Sequence, residues 1–597
     1  MSYMGLDRLT KLSKLNANAG WVNEDLYRLM YREELYVIAY EAIKSQPGNM
    51  TPGIDKSTLD GISLEKTIRS IIEKIRSEQF QFSKGRRIYI PKASGSGMRP
   101  LTIAPPREKV VQEVIRMILD AIFDSEEGPT FMESSHGFRR GRGTHSALET
   151  IRKSWVGTRW IIEGDIKGCF DNIDHHILID LLRKRIKDER FLNLIWKALK
   201  AGYMEDGIGF GQDVGSPQGS IISPILANVY LHELDVFVER LRLKYERGEK
   251  RKWNSEYRQL QRRKTIAEDN GNRELASELA IRMRSIPSHV MNDPDYIRIR
   301  YVRYADDWIV GVIGPTLLAT TLKEEIRRFL RDSLNLTLSE EKTHIRHAGT
   351  EQARFLGTLV GIQGGGNAMP KVSTIVRNGR AFRKRVTGWL PTMNMPTADV
   401  VKQLHQRGFC TVNGEPLSKI AWINLSHEDI LMQYNATLRG VSNYYAFVDN
   451  RSQIARIQYI LQHSAAKTLA NKFRLRSRAN TFKKFGKRLT ARTEMPDGSV
   501  RETQLWLLQN FRREPNRFLR GEQKAPLTEV WNRRLTRSHL GSPCCICGSD
   551  SNVEMHHVRH VRKSRGRSVG FQRVMGLINR KQIPTCSECH GKIHRGE

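Results

Sequence analysis

The chain has 597 residues and carries 98 Lys and Arg against 64 Asp and Glu, a formal net charge of +34. Such a length implies roughly three to five folded units, and 39% hydrophobic residues with a pI near 10.0 describe a folded polycation that attracts a polyanion. Composition excludes collagenous, disulfide-rich and disordered classes, and no apolar run approaches the roughly 18 residues of a membrane span.

The N-terminus lacks the apolar stretch of a secretory signal, so the expected location is bacterial cytoplasm or an organelle, mitochondrion or chloroplast. Leu6, Leu9, Leu12 and Leu15 among basic residues are compatible with an organelle-targeting helix. Residues 1–80 read as a helical N-terminal extension, with apolar periodicity through Leu26, Leu29, Leu35, Ile38 and Ile43 and a turn at Asn49–Gly53. Arg86–Pro91 alternates as a strand, and a flexible loop at 93–97 follows. Pro105 and Pro106 open a helix with Val110, Val114, Ile118 and Ile122 on one face. Trp160-Ile161-Ile162 is a short strand that delivers Asp165 at its tip. Helical pattern covers His175–Lys200, and resumes from Ile221 to beyond Leu241. Residues 242–298 read as a polar, basic insertion of helices. Ile299–Tyr304 and Trp308–Val312 then flank Ala305-Asp306-Asp307 as a hairpin. Gly364-Gly365-Gly366 marks a boundary, and 366–480 reads as helical and basic. Within it, residues 450–493 hold twelve Lys and Arg and no Asp or Glu, so they gain from counterion release on a phosphate backbone.

Adjacent carboxylates repel, and a buried Asp306-Asp307 pair persists only beside a cation. Hard oxygen ligands suit Mg²⁺, and two such ions can activate a 3′-hydroxyl and steady a leaving pyrophosphate. An isolated Asp-Asp more often caps a turn. Here, however, it sits in Tyr-Ala-Asp-Asp between strands, and the chain also contains Gly164-Asp165. With Arg99-Pro100-Leu101, Ser135-His136-Gly137-Phe138-Arg139, Gly215-Ser216-Pro217-Gln218-Gly219 and Phe355-Leu356-Gly357, the sequence resembles a group II intron-encoded reverse transcriptase.

The resemblance implies roles. Asp165, Asp306 and Asp307 would be the metal-binding carboxylates of the palm. Phe170 would exclude a 2′-hydroxyl, so that dNTPs are preferred, and Gln218 would contact the incoming nucleotide. Lys92 and Arg99 would hold its triphosphate, and Lys342 would act as general acid toward pyrophosphate. The segment Gln433 to Val441, with Asn443-Tyr444-Tyr445, resembles the maturase (X) domain of the same family. There Arg and Tyr suit phosphate contact and base stacking, while Tyr434, Tyr444 and Tyr445 fit a thumb core equally well.

Cysteines crowd the C-terminus. Cys544-x-x-Cys547 and Cys586-x-x-Cys589 have the spacing of a four-thiolate zinc site, with Cys545 an alternative to Cys544. A zinc ribbon leaves His556, His557, His590 and His594 unexplained, and the whole segment resembles an HNH nuclease. The resemblance would make His557 the general base, His556, His590 and His594 the ligands of one divalent ion, and Asn579 the brace of the intervening loop.

The expected architecture is α+β and multidomain. It comprises a right-hand polymerase with fingers and an antiparallel palm sheet, an α-helical thumb/maturase domain, and a small zinc-containing ββα-metal HNH module. The divisions expected are 1–80, 81–365, 366–480, 481–540 (DNA-binding) and 541–597. Expected partners are group II intron RNA, target double-stranded DNA and dNTPs, with no membrane. The competing readings are an RNA-binding splicing factor with little polymerase activity, or a non-intron retroelement reverse transcriptase.

Overall fold

A computed structural model describes residues 4–44, 46, 51–91, 97–125, 127–205, 207–211, 214–363, 371–377, 380–386, 389–494, 499–519, 527–558 and 582–596. Lys92, Asn579 and the triglycine at 364–366 lie outside the described residues.

A four-stranded antiparallel sheet forms the centre, in the order Arg298–Tyr304, Asp307–Ile313, Trp160–Gly164, His344–His347. Successive side chains on a strand point to opposite faces, and here both faces are covered. Ile162, Val310 and Val312 enter one core with the helices Ser223–Tyr245 and Thr316–Leu334. Ile161, Val302 and Ile309 enter a second core, shared with the helix Thr144–Ser154 and the C-terminal helices. Double burial explains why Trp160-Ile161-Ile162 is an unbroken apolar run rather than an alternating one.

A second four-stranded sheet runs in the order Met98–Ile103, Gly85–Pro91, Tyr203–Glu205, Ile208–Phe210. The predicted proline-led helix spans Pro106–Phe123 and is buried along most of its length. It joins the helices Met4–Leu15 and Glu33–Ile43 in the first core, together with Trp531 and Leu535 of the helix Leu527–Arg537. Leu6, Leu9 and Leu12 are buried there, so in the folded chain that stretch is a core element. The C-terminal segment thus returns to dock on the N-terminal extension.

Two expectations change. The helix expected over His175–Lys200 is two helices, His175–Arg183 and Glu189–Lys200. Asp188 causes the break: its carboxylate caps the second helix through Arg190 N and Phe191 N, and also accepts from Tyr27 N at 2.7 Å. The region 366–480 is not helical from its start, because a hairpin of Lys371–Arg377 with Arg380–Val386 and a strand Pro391–Asn394 precede the first helix, Thr397–Gln406. Its Val372, Ile375 and Val376 belong to the β-branched residues that favour a pleated strand.

The insertion is a pair of helices, Ser255–Asp269 and Arg273–Ser285, its base closed by bridges Arg247–Ile297 and Trp253–His289. Of the maturase-like tyrosines, Tyr434 and Tyr445 are core residues, and Tyr444 is half-buried against that core. Tyr434 is fully buried, its hydroxyl 2.9 Å from Ser464 Oγ and 3.0 Å from Thr468 Oγ1. Tyr444 and Tyr445 donate to the carbonyls of Leu356 and Gly357 and so tie the thumb to the Phe-Leu-Gly turn. Asn435 accepts from Trp506 N at 2.6 Å and donates to Gln504 O at 2.8 Å, which pins residues 504–506 on the same helices. Among the described residues, no helix is long and apolar enough to cross a membrane.

Candidate active sites

Asp165 directly follows the strand Trp160–Gly164, and Asp306 sits in the two-residue turn between the neighbouring strands, with Asp307 opening the second. The tip is strained: Ala305 takes a left-handed φ of +57°. Two glycines make the geometry possible. A Cβ on Gly164 would lie 2.2 Å from the Trp308 ring, and one on Gly137 would lie 2.3 Å from Ala305 N. The loop Ser135-His136-Gly137 therefore lies directly on the turn that carries Asp306.

Beneath the turn is a buried ion pair. Arg303, wholly inaccessible, reaches Asp235 Oδ2 at 2.6 Å, Asn228 Oδ1 at 3.1 Å, Ser135 Oγ at 2.8 Å and Ala305 O at 3.0 Å. Asn228 donates in turn to Gly137 O at 2.8 Å. This network fixes both sides of the turn, and no sequence motif pointed to it.

The three carboxylates feel one another. Burial, then Asp306 and Asp165, push the Asp307 carboxyl up to about 7. Burial likewise raises Asp306, with Asp165 adding to the rise and Arg99 opposing it. Lys342 Nζ lies 2.7 Å from Asp165 Oδ2, and that hydrogen bond holds its pKa above the usual lysine value. So Asp165, Asp306, Asp307, Lys342 and Arg99 converge. Phe170 packs edge-on against Phe138, with ring centroids 6.1 Å apart. Gln218 Nε2 lies 3.3 Å from Asp171, while its carbonyl accepts from Thr102 N at 2.7 Å. The glycines of Gly-Ser-Pro-Gln-Gly are required by close approach at positive φ. A Cβ on Gly215 would meet Asp171 O at 2.6 Å, and one on Gly219 would meet Thr102 O at 2.6 Å.

In the C-terminal module, the strands Val553–His557 and Gln582–Cys586 pair and the helix Ser587–Arg595 follows. Cys544, Cys547, Cys586 and Cys589 point their sulfurs together, all within 4.8 Å of one another. Cys545 is exposed and outside this group, so Cys544 is the cysteine of the cluster. Burial opposes ionisation of Cys544, but backbone N–H groups of Cys547, Cys586 and Ile546 outweigh it and lower its pKa, while Cys586 raises that of Cys589. Such a set fits Zn²⁺, whose charge lets all four thiols ionise.

A second cluster holds His556, His590 and His594, joined by Asp60. His590 Nδ1 is held by Glu554 at 2.9 Å, and its Nε2 faces His594 Nε2 at 2.9 Å. His557 Nδ1 lies 3.0 Å from Asp60 Oδ1, which also accepts from His557 N at 3.0 Å. Burial works against the Asp60 carboxylate, yet these donors hold it at about 2. The other ring nitrogen of His557 accepts from Gln582 Nε2, whose orientation is set by the Tyr40 hydroxyl donating to Gln582 Oε1 at 2.7 Å.

Three family models match the chain: "Reverse transcriptase (RNA-dependent DNA polymerase)" over residues 90–246, "Type II intron maturase" over 390–512, and "AI2M/AI1M-like, HNH endonuclease" over 544–590. The chain is 34% identical to the group II intron-encoded protein LtrA of Lactococcus lactis subsp. cremoris, covering 98% of both chains. The chain belongs to the group II intron-encoded proteins. It is also 38% identical to the uncharacterized 91 kDa protein in cob intron of Schizosaccharomyces pombe, over 99% of this chain and 72% of that one. With the putative COX1/OXI3 intron 1 protein of Saccharomyces cerevisiae it shares 35% identity, over 98% and 71%.

As a group II intron-encoded protein, the molecule joins an RNA-directed DNA polymerase, a maturase and an HNH DNA endonuclease in one chain. Sequence motifs led to the carboxylate cluster of the first and the cysteine and histidine clusters of the last. They missed Arg303, Asp235 and Asn228 under the palm turn, and Asp60, Tyr40 and Gln582 around His557. Asp60-Gly61 looks like an ordinary turn dipeptide, so the sequence carried no signal for it.

Proposed function

We propose that Asp165, Asp306 and Asp307 hold two Mg²⁺ ions for primer extension on an RNA template. We also propose that His557, beside one divalent ion at His556, His590 and His594, cuts target DNA, and that Cys544, Cys547, Cys586 and Cys589 hold structural Zn²⁺. The observation that carries the polymerase assignment is the convergence of three mutually repelling carboxylates, a surplus of negative charge in which Asp307 is pushed up to about 7. That surplus matches what divalent cations neutralise. Such ions, when bound, ease deprotonation of the primer 3′-hydroxyl and stabilise the leaving pyrophosphate.

The chain's own groups do the rest. Arg99 presents a bidentate fork to the triphosphate and Lys92 a point charge. Phe170 crowds the 2′ position of the sugar, and Gln218 lies beside the incoming base. Lys342, released from Asp165 as that carboxylate takes up its ligand, donates a proton toward pyrophosphate. In the endonuclease, His557 accepts the proton of the attacking water. Exposed Arg456, Arg474, Arg476, Lys483, Lys484 and Lys487 offer the thumb's phosphate-binding surface to intron RNA.

The working sequence is target-primed. Intron RNA enters one strand of duplex DNA, the HNH module cuts the other, and the new 3′-end primes cDNA synthesis, in a bacterial cytoplasm or an organelle. The test is primer extension on an RNA template with dNTPs and Mg²⁺, alongside nicking of target duplex by the intron ribonucleoprotein. Asp306→Asn should cut incorporation by at least about 10²–10³-fold and leave nicking intact. His557→Ala should do the reverse, by about 10²–10⁴-fold. Incorporation that survives Asp306→Asn would refute the palm assignment.

A further inference from the structure

Asp60 belongs to the N-terminal extension, yet it is built into the endonuclease. Gly61 N donates to Met555 O at 3.0 Å and Met555 N to Ile62 O at 3.0 Å, so residues 60–62 add a short antiparallel bridge to the strand carrying His556 and His557. Glu65 accepts from Asn552 N at 3.2 Å, and Lys66 Nζ reaches Ser587 Oγ at 3.3 Å. These contacts place one Asp60 oxygen on His557, and the carboxylate joins the histidine cluster with ligand atoms all within 4.8 Å.

The cluster is prepared for an ion. Glu554 occupies His590 Nδ1 and turns its Nε2 toward His594, the arrangement by which a carboxylate orients a ligating imidazole. His556 is 5% exposed, and its Nδ1 is buried with no hydrogen-bond partner among the described residues. Three imidazoles and one carboxylate form a donor set for a divalent transition metal rather than for Mg²⁺. Four protein ligands also make a closed site, whereas a hydrolytic ion keeps a position open for substrate.

We propose that the N-terminal extension and the endonuclease share one closed transition-metal site, with Asp60 as fourth ligand beside His556, His590 and His594, in the position a scissile phosphate must enter. The same carboxylate engages His557 Nδ1 while Gln582 engages Nε2, so in this arrangement the base has no ring nitrogen free to take a proton from water. DNA must therefore displace residues 60–62 before it is cut, and the endonuclease is held closed by the polymerase half of its own chain. The inference rests on the nuclease assignment made above for His557.

The test uses full-length protein carrying a single equivalent of zinc, which the four thiolates take, so that the histidine cluster is left open to added Mn²⁺. Mn²⁺ binding is read by electron paramagnetic resonance in an Asp306→Asn background that silences the palm, and nicking of target duplex is read by the ribonucleoprotein with an intact palm. Asp60→Ala should weaken Mn²⁺ binding by about ten-fold or more and speed nicking several-fold, with primer extension unchanged as proof of folding. Asp60→Asn, which keeps the shape of the side chain, should move both readouts in the same direction. Unchanged Mn²⁺ affinity would overturn Asp60 as a ligand. Weaker binding with slower nicking would make it a working ligand and overturn the closed state. Nicking that persists in His557→Ala would instead refute the nuclease assignment on which the closing role depends.

Discussion

In the palm, the groups that position Asp306 come from one sheet and the elements packed directly on it. In the endonuclease, the carboxylate bonded to His557 comes from a loop 497 positions earlier in the chain. The palm turn is locked from below by Arg303, wholly buried and paired with Asp235. The endonuclease is instead a small ββα unit whose buried Cys544, Cys586 and Cys589 form a core of their own, leaning on the N-terminal extension for its last polar contacts. A site inside a large apolar core can carry its own orienting ion pair. A module of about fifty residues buries too little surface to do so, and it leans on a neighbour.

The comparison breaks most sharply at its two anchors. Asp235→Ala strands a buried guanidinium, which costs about 3–5 kcal/mol. We expect primer extension to collapse and the unfolding midpoint of the palm to fall, while zinc content and nicking of the purified folded fraction persist. Cys586→Ser should act on the other region alone. Bound zinc, measured by metal analysis, and nicking should both be lost, with primer extension kept within about two-fold because the palm shares no ligand with the module. Asp235→Ala protein that still extends primers normally would mean the turn holds itself.

Smaller changes sharpen the same contrast. Gly137→Ala places a methyl 2.3 Å from Ala305 N, an overpacking worth about 1–3 kcal/mol. Because the obstacle is backbone at the turn that carries Asp306, kcat for primer extension should fall more than KM for dNTP rises. His136 supplies a pH handle on this loop. Burial, then Arg142 and Arg139, lower its pKa from 6.5 to about 4, and its Nδ1 lies 2.8 Å from Ser146 Oγ. The unfolded chain takes up this proton near 6.5 and the folded chain only near 4. The stability contribution is therefore fully present above 6.5 and is lost progressively toward 4. Replacement by Gln should flatten that slope in denaturation curves taken across the interval, and an unchanged slope would assign it to other groups.

How much was legible follows from where each signal resides. Tyr-Ala-Asp-Asp between two strands, Gly164-Asp165 and the paired Cys-x-x-Cys spacings are local patterns, and the structure brings each set together in space. The glycines were legible as letters but not as reasons. Only the folded chain shows Gly137 lying on Ala305, and Gly164 making way for Trp308. The helix break at Asp188 was missed because apolar periodicity continues through it, while the capping carboxylate is recruited by Tyr27 far away in sequence. Tyr434, Tyr444 and Tyr445 fitted two roles; burial decided for the core at Tyr434 and Tyr445, while half-buried Tyr444 packs against that core.

By itself, the sequence determined the chemical inventory: a polycationic chain with carboxylates clustered at strand tips, a run of uncompensated basic residues, and a cysteine-histidine module at the end. Those depend on residue type and short spacing, which the linear chain displays. Tertiary structure alone decided what supports and closes the two sites, the Arg303–Asp235 pair under one and Asp60 and Tyr40 against the other. A hydrogen bond or ion pair depends on distance in space, and folding brings together side chains whose separation along the chain carries no pattern.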